Sequence, residues 1–182
     1  MLNDYLSKFE KMVDIDHHQS AKSLCIQTLQ FLPVKALPHI FLEAPSVPDE
    51  KWPEFPYNEA FDDAEKMLLN ELKSPFLHNQ TKDYRAMNIR CNYGTVILPS
   101  LFGAKYKLTE ESMPWSDHFE SRDQIRNIVE KGIPDYKNGL GGKCFETAEY
   151  YKSILSGYPK LNQVIRIYHP DLQGPFDVAH LL

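Results

Sequence analysis

The chain has 182 residues, 42% hydrophobic and 25% charged, with a net charge of −5. That is enough for one domain with its own core and argues against disorder. No Lys/Arg block stands out and no apolar run approaches the roughly 20 residues of a membrane span, so neither nucleic acid nor membrane is expected as a partner.

The N-terminus carries Asp4, Glu10, Asp14 and Asp16 where a signal peptide would carry an apolar run. Cys25, Cys91 and Cys144 are odd in number and far apart. They read as reduced thiols, and the expected location is the cytoplasm. Thirteen prolines against eight glycines imply stiff loops and sharp stops.

In chain order, Leu2, Tyr5, Leu6, Phe9, Met12 and Val13 have helical spacing and predict an amphipathic helix over 1–13. A second helix is expected over 19–32, stopped by Pro33. The run HIFLEA (39–44) lies between two prolines and fits a buried strand. A proline-rich, aromatic loop follows to Tyr57, then a helix over 59–72 with Phe61, Ala64, Met67, Leu68 and Leu72 on one face.

Residues 83–98 alternate loosely. They suggest a strand ending near Asn92, a turn at Gly94 and a second apolar piece over 95–98. Ser121 and Gln124 form a capping-box signature, and Gly132 and Pro134 end the helix they open. A further helix is expected over 142–156, a strand over QVIRIY (163–168) and a last helix from Phe176.

Strands alternating with helices point to a parallel α/β arrangement. The run FDVAHLL (176–182) meets no cap or stop signal, so the sequence reads as cut within a helix. The expected organisation is two N-terminal helices over 1–37 and the first β/α units over 38–182.

The sharpest local signal is HPDLQGPF (169–176), which follows one strand and opens a helix. Ligands of parallel α/β proteins bind at such carboxyl ends. Asp171 either meets a ligand or caps backbone N–H groups, and Gln173 can donate and accept. Arg90 and Asn92, at the previous strand's end, either line a pocket or serve an internal ion pair and a turn. Glu43 is a third candidate, whose burial would demand a partner.

GLGGK (139–143) lacks the spacing of a phosphate loop and reads chiefly as helix entry. Asp14, Asp16, His17 and His18 read as turn residues rather than metal ligands, and His169 with Asp171 supplies too few ligands for a site. Trp52 and Trp115 lie in proline-rich loops and read as loop packing.

Several segments together resemble the uroporphyrinogen decarboxylase superfamily: NYGTVILPSLFGA (92–104), MPWSDHF (113–119), GIPDYKNGLGG (132–142), GYPKL (157–161) and YHPDLQGPFDVAHLL (168–182). The resemblance covers roughly 59–182. It implies the N-terminal part of a (β/α)8 TIM barrel, truncated within a helix. It further implies a small molecule, a tetrapyrrole or a methyl donor, bound at the strand carboxyl ends.

Glu43, Arg90, Asn92 and Gln173 would line that site, with Asp171 and His169 as its catalytic groups. No cofactor and no metal are expected within these residues. The parent would be a lyase or a methyltransferase. The methyltransferase alternative implies a corrinoid protein as partner, and the remaining alternative is an inactive fragment or binding module. The isolated chain is expected to be inactive and to self-associate through an open sheet edge.

Two departures stand against decarboxylation. LEAPSVPDEKWPEFP (42–56) replaces the family's arginine-rich loop, and Gly94 and Leu181 occupy the positions of its active-site aspartate and tyrosine.

Overall fold

The computed structural model describes residues 1–41, 51–110 and 112–182. The elements in order are α1 (Leu2–Met12), α2 (Ile15–Leu29), α3 (Tyr57–Asp62), α4 (Ala64–Asn79), β1 (Asn88–Ile89), a 3-10 turn (Gly94–Val96), α5 (Ile97–Leu101), β2 (Tyr106–Lys107), β3 (Trp115–Ser116), α6 (Arg122–Lys131), α7 (Gly139–Ser156), α8 (Pro159–Val164), β4 (Arg166–Ile167) and α9 (Pro175–Leu181). They fall into two compact units. One comprises Met1–Glu54, Leu68–Ile89 and Tyr151–Tyr168, and the other Phe55–Met67, Arg90–Tyr150 and His169–Leu182.

In the first unit, α1 buries Leu2, Leu6 and Phe9, a stripe with the helical period. Trp52, Leu69, Leu72, Phe76, Tyr151, Leu155 and Leu161 complete the core. Phe9 meets Phe76 edge-on at 5.5 Å between ring centroids.

The Glu10 carboxylate caps α8, accepting from the backbone N–H groups of Lys160 and Leu161, both at 2.9 Å. A carboxylate is favourable at that end because the unpaired N–H groups carry positive partial charge. Asp14 does the same for α2, accepting from His17 N–H at 3.1 Å. This bond, with the Lys82 ammonium beside it, lowers the Asp14 pKa from its ordinary value. The helix therefore starts four residues earlier than Gln19.

Most of the polar groups buried in this unit gather around Asp83. Its Oδ2 accepts from Phe41 N–H at 3.1 Å and lies 3.3 Å from His78 Nδ1. Its Oδ1 accepts from Arg85 N–H at 3.0 Å, and its carbonyl oxygen is 3.1 Å from His17 Nε2.

In the second unit, Ala60, Phe61, Met67, Cys91, Tyr93, Val96, Ile97, Leu140, Cys144 and Val178 form the core. Phe61 and Tyr93 pack edge-on at 5.0 Å. The helix expected over 59–72 is broken at Asp63, whose backbone is extended. Its Oδ1 accepts from the N–H groups of Glu65 and Lys66 and so restarts the chain as α4. The capping box of α6 forms as expected between Ser121 and Gln124.

The barrel expectation is overturned. Among the described residues the strands are four two-residue pieces in two separate two-stranded sheets, and helices make up most of the structure. β1 and β4 are parallel, pairing Asn88 with Arg166 and Ile89 with Ile167. β2 and β3 are antiparallel, pairing Tyr106 with Ser116 and Lys107 with Trp115.

Each lost strand has a local cause. The first two residues of QVIRIY are consumed by helix, because Pro159 sits in the first turn of α8 and the ladder runs on to Ile165 N–H bonding Leu161 C=O. Residues 95–98 enter the 3-10 turn and α5, because Gly94 turns the chain at φ +69°.

Of the expected strand 39–44, His39–Phe41 has no regular structure. The Phe41 backbone is satisfied by side chains, Asp83 at its N–H and Arg85 at its carbonyl. The remainder, Glu43 included, lies outside the described residues.

Candidate functional site

Arg90 is the residue after β1, and Asp171 lies in the segment after β4. Because the two strands are parallel, both residues leave at carboxyl ends. Arg90 Nη1 donates to Asp171 Oδ1 at 2.6 Å and Oδ2 at 2.5 Å. The side chains are 23% and 35% exposed, so the pair is shielded enough to hold its geometry but open to a ligand. Of the two alternatives for Arg90, the internal ion pair is present.

Other candidates do different work. Asn92 accepts at its backbone carbonyl from the Tyr57 hydroxyl at 2.9 Å, and its N–H faces Met67 Sδ at 3.2 Å. His169 Nδ1 lies 3.0 Å from the carbonyl of its neighbour Pro170 and is exposed. Gln173 Oε1 is buried with no hydrogen-bond partner among the described residues. The structure brings Arg90 and Asp171 into contact.

The backbone around Gly94 explains its identity. A Cβ there would approach Pro114 Cδ to 3.0 Å on a backbone of positive φ. An aspartate at 94 would be both strained and crowded.

GLGGK serves packing. A Cβ on Gly141 would stand 1.9 Å from the Tyr136 carbonyl oxygen, so only glycine fits that approach. The Leu140 N–H donates to Ser100 Oγ at 2.9 Å. Lys143 is engaged by Asp62 Oδ1 at 3.1 Å and the Phe61 carbonyl at 3.2 Å, with its ammonium 4.9 Å from the Phe61 ring centroid.

The thiols divide by environment. Cys91 and Cys144 are buried and Cys25 is partly exposed. Cys91 Sγ donates to the Cys144 carbonyl at 3.3 Å, and burial pushes the Cys144 thiol up to about 12. A thiol so far from ionising is a poor nucleophile. Labelling the folded protein with a disulfide reagent at pH 8 is expected to modify Cys25 alone, with all three thiols reacting after unfolding. Rapid reaction of Cys144 in the native state would contradict this placement.

Sequence reasoning passes over Lys22, Arg85 and Arg166, which line a cavity of about 420 Å³ in the first unit. The signal that could have found them is the α2 pattern. Lys22, Ile26 and Leu29 recur at spacings of four and three on one helix face.

Among the described residues no three His, Cys, Asp or Glu side chains come together as metal ligands, and no helix is long and apolar enough to cross a membrane. Comparison with known proteins finds no matching family model, no matching curated protein and no matching solved structure.

Proposed function

We propose that the chain binds a small anionic molecule at the Arg90–Asp171 pair, in the manner of a divergent uroporphyrinogen-decarboxylase-like protein. The carrying observation is the ion pair itself, in which one guanidinium nitrogen meets both carboxylate oxygens across 81 residues of chain. Asp171 anchors the Arg90 guanidinium through Nη1. A guanidinium is suited to carboxylate recognition, because its planar set of donors matches the two oxygens of the ligand. Gln173, with its buried acceptor oxygen, offers a place for a ligand N–H or hydroxyl. The segment resemblance over 92–104 and 168–182 supports a tetrapyrrole or other polycarboxylate as the ligand class. Gly94 and Leu181 turn the proposal toward binding and away from the decarboxylase proton chemistry.

Fluorescence titration with uroporphyrin, a stable polycarboxylate tetrapyrrole, tests this reading. Saturable binding is expected, with Arg90→Ala weakening it by about tenfold or more, the equivalent of about 1.4 kcal/mol. Asp171→Ala is expected to weaken it as well, because the guanidinium loses its support. Absence of saturable binding, or equal affinity in folded Arg90→Ala protein, would sink the proposal.

A further inference from the structure

The 420 Å³ cavity of the first unit has the size of a small-molecule site, which typically spans roughly 300–1,000 Å³. Its wall is mostly apolar, with Ala21, Ile26 and Leu29 from α2 facing Met87. Ile26 is 43% and Leu29 78% exposed, so this apolar surface is open to solvent. Such surface on a helix face invites a nonpolar occupant.

The charge at this groove is inverted relative to the chain. The protein carries a net −5, yet among the described residues the lining includes Lys22, Arg85 and Arg166 and not one Asp or Glu. Neither Lys22 nor Arg166 has an acidic side chain within ion-pair distance among the described residues. Arg85 points to a missing acceptor. Its Nη2 donates to the Phe41 carbonyl at 2.7 Å, but its Nε is buried with no hydrogen-bond partner among the described residues. A buried guanidinium N–H left unpaired is costly, and a carboxylate oxygen is the acceptor that best relieves it.

We propose that this groove binds a long-chain carboxylate. The hydrocarbon chain lies against Ile26, Leu29 and Met87, and the head group meets the cations of Lys22, Arg85 and Arg166. An apolar body with a single anionic end is the chemistry that satisfies both halves of the lining. The site is separate from the Arg90–Asp171 pair and does not depend on the reading of that pair.

The test uses the full chain and dodecanoate held below its micellar concentration, followed by calorimetry and by displacement of an anionic apolar fluorophore. One molecule is expected to bind per chain in the micromolar range. Dodecanol, with the same chain and no charge, is expected to bind at least about tenfold more weakly. Lys22 and Arg166 are exposed, so Lys22→Glu and Arg166→Glu leave the core intact. Together they are expected to weaken dodecanoate by about tenfold or more while leaving uroporphyrin binding unchanged. No saturable dodecanoate binding, dodecanol binding equal to it, or charge-reversed protein of unchanged affinity overturns the proposal. An acidic amphipathic peptide that binds where dodecanoate does not would give the groove to a protein partner and overturn it as well.

Discussion

Asp83→Ala is expected to destabilise the protein by about 3–5 kcal/mol, because it strips several hydrogen-bond donors of one buried acceptor at a cost of roughly 1–3 kcal/mol each. The Asp83 side chain is 1% and the His78 side chain 5% exposed, so water cannot replace what is lost. Alanine leaves His78 Nδ1 and the N–H groups of Phe41 and Arg85 without their acceptor.

Asp83→Asn keeps one oxygen of similar geometry and is expected to cost less, because some of those donors retain a partner. Urea unfolding followed by circular dichroism measures both. A loss below about 1 kcal/mol for the alanine variant would show that the hub does not hold the segment around His39–Phe41 to α4. A double cycle with His78→Ala then separates the pair's coupling from the backbone bonds.

Trp52→Ala is expected to cost about 3–5 kcal/mol, as for other large aromatic truncations in cores. The ring is 8% exposed and tilts over Phe76 at 4.4 Å, with Tyr5 at 5.2 Å and Phe9 at 6.1 Å. Its indole N–H donates to the Leu69 carbonyl at 2.7 Å, so alanine also strands a buried acceptor. Trp52→Phe keeps most of the apolar volume and loses only that bond, and is expected to be the milder change.

A second readout comes from fluorescence. Trp115 is 70% exposed, so removing it as Trp115→Phe isolates the emission of Trp52. That emission is expected to be blue-shifted in the folded state and to move red in a single step on unfolding. Red-shifted native emission would place Trp52 outside the core.

These two residues show where the sequence was legible and where it was not. α1 and α6 were readable because their signals are local: an apolar stripe of period near 3.6 in one, a capping box in the other. The parallel strands were not, because an apolar run of five or six residues fits a buried strand and a helix equally well. In QVIRIY the deciding feature was Pro159, outside the run, which nucleates α8 and carries it as far as Val164.

Asp83 lies in HNQTKDY (78–84), a polar stretch that looks like loop. Its burial follows from what packs around it, which no local pattern reports. Arg90 and Asp171 were each identifiable as polar groups at the end of an apolar run. Their contact, across a long sequence separation, is a property of the fold. Trp52 read as loop packing in KWPEFP and is a centre of the core, since a proline-rich segment gives no period from which burial can be inferred.

The Glu10 cap on α8 also bears on the order of events during synthesis. Glu10 waits for Lys160 and Leu161, 150 and 151 residues downstream, and the first unit needs chain from three separate stretches ending at Tyr168. Phe9 meets Trp52 and Phe76 from the intervening chain, but the α8 backbone that Glu10 caps is made much later. At about 5–20 residues per second, roughly 8–30 seconds separate Glu10 from those N–H groups. The folding of this unit is therefore completed only once α8 has been made.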